Sequence, residues 1–195
     1  MSEENKKEPF EVTAEVDVER TVTNDGISRR LSVAVKMLRD TVMKLSAKKI
    51  LILADWIVKW CLYLQNELTF ESKKLKAYKQ REIILVDFGF NVGSEFGGRH
   101  YAVVLEKENN PRSGVILVAP ITSYTSEKGC HPTNVDLGVG VINDYDKGVA
   151  VVINQIRYIS KMRIEKPKTS FEEIQRVSRD KFEEIVEKIS RKLLP

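Results

Sequence analysis

Histidine, the side chain best suited to proton transfer at neutral pH, occurs only twice in this chain, both times in its second half. His100, directly after Arg99, is one of two histidines in 195 residues; the other is His131. An imidazole with an ordinary pKa near 6.5 can give or take a proton at neutral pH. Downstream, Thr122 and Ser123 offer two adjacent hydroxyls, groups that bind phosphate oxygens by O–H donation. A metal is not expected. Cys61, Cys130 and the two histidines have no metal-ligand spacing, and neither a P-loop nor an HExxH pattern occurs. A plain structural account remains open for each residue: His100 as a hydrogen-bonded strand histidine, Thr122 as an ordinary strand-end threonine.

The element that must position these groups is EIILVDFGFNVGSEFGGRHYAVVL, residues 82–105. Ile83, Ile84, Leu85 and Val86 form a β-branched run typical of a strand, and the pattern resumes from Tyr101 to Leu105. Between them stand Gly89, Gly93, Gly97 and Gly98, four of the chain's ten glycines. A loop so rich in glycine, set between strands, is shaped for a ligand or a tight crossing.

The stretch VDFGFNVGSEFGGRHYAVVL resembles the opening of the PemK/MazF family of toxin endoribonucleases. Three further motifs follow in family order: Ala119-Pro120-Ile121-Thr122-Ser123 resembles the end of a third strand, Pro132 to Leu137 a fourth, and Val151 to Arg157 a fifth with its Gln-Ile-Arg ending. The resemblance covers about residues 80–165. It implies an α+β protein: an SH3-like, strongly curved antiparallel β-barrel over about residues 81–166, a packed C-terminal helix and an N-terminal helical arm. It further implies a metal-independent, cofactor-free endoribonuclease of a type II toxin-antitoxin system. Such an enzyme cuts single-stranded RNA, mRNA included, by 2′-OH attack, as a homodimer opposed by a cognate antitoxin. By the same resemblance Arg99, His100 and Thr122 are the candidate catalytic residues, and Glu95, Ser123, Gln155 and Arg157 the candidate substrate-binding ones. Phe96 and Tyr124 could stack bases. Aligned without gaps, the family arginine's place falls on His100, with Arg99 one position earlier and Tyr101 in place of a proline. Successive strand residues face opposite sides. Either His100 therefore does proton transfer with Arg99 supporting the phosphate, or the loop shifts by one and Arg99 takes the arginine's place. A non-catalytic member of the same fold that binds RNA or protein is the second functional reading, and a gyrase-directed toxin a more distant third.

The rest of the chain is unevenly charged. Its net +4 resolves into an acidic tail over residues 1–26, a basic arm over 27–80 and a nearly neutral toxin-like domain over 81–195. In the tail, Phe10, Val12, Ala14, Val16 and Val18 alternate with acidic residues and Thr13, an extended pattern that reads as a mobile tail or an edge strand or, by the family resemblance, as a mimic of RNA in the groove. In the arm, Ile27, Leu31, Val35, Leu38, Val42 and Leu45 step at helical spacing, and after Ser46 the period restarts at Ile50, Leu53, Ile57, Trp60 and Leu64. That predicts two helices or one long helix with a register shift, the apolar stripes packed on each other, on the barrel, on a second copy or on a partner protein. Arm lysines and arginines read as a solvated face or a phosphate track. Ser170-Phe171-Glu172-Glu173 fits a capping box and predicts that the last helix starts there. Two cysteines, no secretory signal and no apolar run of membrane-spanning length predict a reducing cytoplasm and no membrane.

Overall fold

The computed structural model describes residues 24–125, 127–143 and 145–193. The alternating acidic segment from Phe10 to Glu19 lies outside them. Two helices come first, α1 (Asn24–Val42) and α2 (Ala47–Asn66). They are separate helices, parted at residues 43–46, where the Leu45 N–H donates to the Val42 carbonyl at 2.9 Å and closes the first helix in a tight turn. The chain divides into two compact units, one ending at Leu51 and one running from Ile52 to Pro195. In α1 no residue is buried, and Leu31 and Val35 of the predicted stripe are 63% and 55% exposed. In the part of α2 that belongs to the second unit, Leu53, Trp56, Ile57 and Tyr63 are half-buried.

The second unit is built on eight antiparallel strands: β1 (Glu82–Asp87), β2 (Arg99–Val104), β3 (Val115–Tyr124), β4 (Val135–Gly138), β5 (Gly148–Val151), β6 (Arg157–Ser160), β7 (Ile164–Lys166) and β8 (Gln175–Arg176). The hydrogen-bonded order is β4-β5-β3-β2-β1-β7, with β6 also paired to β3 and β8 to β1. The long β3 is where the sheet divides. Its first half, Val115 to Val118, pairs with β6, and its second half, Ile121 to Tyr124, pairs with β5. Pro120 stands at the changeover; it has no N–H to give, and its carbonyl accepts from Val152 at 2.8 Å. The expected barrel is not closed: β6 and β7 are joined by the turn Lys161–Arg163 and by no described ladder.

Both faces of the sheet are covered, which explains why β1 reads as an unbroken apolar run instead of an alternation. Ile83, Val103, Ala119 and Ile121 pack on one side with Phe182 and Ile185 of the last helix, α3 (Arg179–Leu193). On the other side Ile84, Val86, Ala102, Val104, Ile116 and Val118 pack with Tyr78, Phe88 and Ile164. The helix α3 starts nine residues after the predicted capping box. Glu172 caps a turn instead, its carboxylate accepting from the N–H groups of Lys168 and Thr169 at 2.9 and 3.0 Å. The next residues are extended, because Gln175 and Arg176 pair with Ile83 and Glu82 as β8. Ser178 is the true cap: its hydroxyl accepts from Lys181 N–H at 3.3 Å, and its carbonyl begins the helix by accepting from Phe182. Phe171, within that capping-box pattern, is fully exposed.

A buried carboxylate anchors the start of β1. Glu82 is 1% exposed and is held by Lys76, itself buried, and by Arg176 Nη2 at 3.0 Å. A buried ion needs its partners because the interior cannot solvate it. Lys76→Met, which leaves Glu82 with the half-exposed Arg176 alone, is expected to destabilise the protein by about 3 kcal/mol. The check is the urea midpoint at unchanged slope, and a variant as stable as wild type overturns the assignment.

Candidate active site and its loop

The loop between β1 and β2 is closed at its base by backbone bonds. Phe88 N–H donates to the Gly98 carbonyl at 2.8 Å, and Gly98 N–H to the Gly89 carbonyl at 2.7 Å. Inside, the Asn91 amide donates to the carbonyls of Phe88 and Phe96 at 3.1 and 2.8 Å. Gly89 is required twice over. Its φ is +82°, and a Cβ there would lie 2.6 Å from the Trp56 ring. Phe96 turns inward, its ring edge-on to Phe88 at 5.5 Å and 4.5 Å from the His100 imidazole. It is part of the wall that packs His100.

His100 lies opposite Val86 in the ladder and is half-buried. Burial pulls its pKa below 6.5, opposed by a hydrogen bond from the ring to the Ile121 carbonyl, so the imidazole is neutral at pH 7. A neutral imidazole has one ring nitrogen whose lone pair can accept a proton. Thr122, the next residue after Ile121, lines a cleft of about 510 Å³ with Ser123, Lys128, His131 and Lys147. Tyr124, beside them, donates its hydroxyl to Asp136 at 2.5 Å, and that bond pushes the phenol up to about 12.

Gln155 does not continue a strand. The predicted fifth strand stops at Val151, and Ile153–Gln155 form a tight 3-10 turn before β6. This turn aims the Gln155 side chain at the loop: its oxygen accepts from Phe96 N–H at 3.0 Å and from Arg157 Nη2 at 2.7 Å, and its amide donates to the Ser94 carbonyl at 3.3 Å. The Arg157 guanidinium sits 5.8 Å from the centre of the Phe88 ring. His100, Gln155 and Arg157 thus meet around Phe88 and Phe96, with Thr122 one residue beyond the carbonyl that orients His100.

Arg99 is on the other side. It lies opposite Asp87, and its guanidinium pairs with Glu165. Lys59 of α2 completes that group, with Nζ 2.7 Å from Asp87 and 3.3 Å from Glu165. Hydrogen bonding to Asp87 raises the Lys59 pKa. Glu95, exposed in the loop, lines a cleft of about 440 Å³ with Arg99, Trp56 and Lys59. The sequence reading left Trp56, Lys59, Asp87 and Glu165 out of the site. Lys59 had a visible signal, a charge inside the apolar run of α2.

A family described as PemK-like, MazF-like toxin of type II toxin-antitoxin system matches residues 79–193, more than half of the chain. The chain belongs to this family. Among solved structures, MazF of Deinococcus radiodurans is 19% identical, with 60% of this chain and 96% of that one covered and a TM-score of 0.44. The MazE–MazF structure from the same organism is 20% identical, with 60% and 95% covered and a TM-score of 0.43. Mycobacterium tuberculosis toxin MazF-mt6 is 16% identical, with 57% and 94% covered and a TM-score of 0.41. No curated protein matches the chain.

Within the PemK-like, MazF-like toxin portion lie all seven residues singled out in the sequence, whereas Trp56 and Lys59 precede it. Among the described residues no helix is long and apolar enough to cross a membrane, and no three His, Cys, Asp or Glu side chains group as metal ligands. Because burial lowers the folded pKa of His100, the unfolded chain binds the proton more readily. The stability tied to His100 is therefore full above about pH 6.5 and is lost as the pH falls through its lowered folded value. In His100→Gln this component of the stability–pH curve is expected to flatten, measured by urea unfolding between pH 7 and 5. An unchanged curve places the titration elsewhere.

Proposed function

We propose that this toxin-family chain is an endoribonuclease that cuts single-stranded RNA without a metal ion, as a homodimer held in check by a cognate antitoxin. The observation that carries the reading is the neutral His100 imidazole, packed on Phe96 and oriented by the Ile121 carbonyl next to Thr122. In this reading the free ring nitrogen takes the proton of a 2′-OH. The 2′-oxygen bonds to phosphorus as the bond to the 5′-oxygen breaks, leaving a 2′,3′-cyclic phosphate and a 5′-hydroxyl whose proton comes from solvent. Thr122 and Ser123 donate to the non-bridging oxygens, and Arg157 stabilises the charge of the pentacoordinate phosphorus. Gln155 positions the loop and Arg157 rather than touching the nucleotide, and Glu95 borders the entry. Arg99, paired with Glu165, adds positive potential at the mouth without contacting the reacting phosphate. The open sheet is read as the SH3-like barrel of the family, and residues 81–195 as its toxin domain.

Cleavage of a labelled single-stranded transcript in EDTA tests this directly, with a duplex of the same sequence left intact. His100→Ala is expected to lower the rate by about 100-fold or more, the usual loss on removing an acid-base group. Arg99→Ala is expected to have a smaller effect that shrinks further in high salt, since screening already removes part of its Coulomb contribution. A strict requirement for added magnesium overturns the metal-free path, and the reverse ranking of the two variants moves the chemistry to Arg99. Tight RNA binding with no cleavage by wild type favours the non-catalytic reading of the same fold.

A further inference from the structure

We propose that helix α2, which precedes the family portion, is a working part of the site: Trp56 and Lys59 hold the base of the 88–98 loop and, through it, set Phe96 against His100. The role rests on the nuclease reading above. The physical chain is short. Lys59 Nζ bonds to Asp87 Oδ2 at 2.7 Å, and Asp87 Oδ1 accepts from Gly89 N–H at 3.0 Å. The Gly89 carbonyl in turn accepts from Gly98 N–H, so one residue, Gly89, passes the hold of α2 from the start of the loop to its end. The Trp56 indole covers Gly89 at a distance that no side chain there would permit. Arg163 locks the indole from behind, its guanidinium 5.3 Å from the ring and its Nη1 donating to the Phe88 carbonyl at 2.9 Å.

The far side of the loop is held independently, by Gln155 at Phe96 and Ser94. With both clamps in place, Phe96 has a fixed face for the imidazole. Without α2, Gly89 is left uncovered at a positive φ that glycine leaves freely, and the nearly buried Asp87 loses its cation. The loop then moves about its Gln155 clamp. A small displacement of a catalytic group costs rate much more than it costs binding, because RNA affinity comes largely from phosphate contacts elsewhere.

The test uses the full chain with Trp56→Ala, Trp56→Phe and Lys59→Met, measured in two ways. In cleavage of a labelled unstructured transcript, Trp56→Ala and Lys59→Met are expected to lower kcat by about tenfold to a hundredfold with KM little changed, and Trp56→Phe to retain most of the rate. In amide hydrogen exchange, Phe96 and Gly98 are expected to exchange faster in Trp56→Ala and Lys59→Met while Ile84 and Val103 in the core stay protected. Wild-type kcat in both of those variants, a rise in KM at unchanged kcat, or equally faster exchange in loop and core overturns the proposal. If wild type cuts no RNA, the nuclease reading fails by itself. The exchange measurement then decides alone: selective loosening of the loop supports the clamp, and unchanged exchange overturns it.

Discussion

The structure depends on one strand that water does not reach. Every residue from Glu82 to Asp87 is buried, yet the strand begins and ends on a carboxylate. Burying charge is costly unless each ion has a partner with good geometry. Each has a lysine partner from upstream, Lys76 for Glu82 and Lys59 for Asp87, and Glu82 also pairs with the downstream Arg176. The strand is thus pinned at its two ends by lysines of the segment that precedes it. On its edges it pairs with β2 on one side and with β7 and β8 on the other. A strand so fixed can carry a glycine-rich loop without letting that loop wander.

The alternation of a strand places the two residues at the loop's end in different surroundings. Opposite Asp87, Arg99 joins a balanced group of two cations and two carboxylates with Lys59 and Glu165. One residue on, His100 faces Phe96 and the Ile121 carbonyl, away from those charges. Desolvation then acts on the imidazole with little opposition, which keeps it in the form that accepts a proton. The swapped order of the pair therefore exchanges a permanently charged group for a titratable one on the inner side.

Much of this was legible in the sequence. The glycines and the flanking β-branched runs marked the strand–loop–strand unit, and the helical periods marked helix before it, because both signals are local; the choice between two helices and one long one was not legible there. Where the prediction failed, a distant partner decided. Ser170 and Glu173 satisfy a helix-start pattern, but Gln175 and Arg176 are drawn into pairing with β1, and the helix waits for Ser178. The family resemblance put Gln155 on a fifth strand, yet the turn at Ile153–Gln155 swings its amide onto the loop. Trp56 and Lys59 occupy ordinary places on a helix, and no periodicity tells which surface such a face will meet. Barrel closure was equally hidden, since it depends on whether β6 and β7 meet edge to edge across a turn.

The contact between Trp56 and Gly89 also restricts how the sequence can change over time. Any side chain at 89 collides with the indole and adopts an unfavourable backbone angle, so two separate barriers guard that position. Losing the indole first removes only one of them. A lineage that exchanges the tryptophan for a small residue still cannot accept a larger residue at 89 until the turn itself is rebuilt. Drift at the two positions is therefore ordered: a change at the glycine can only follow one at the helix residue, and the reverse path is closed.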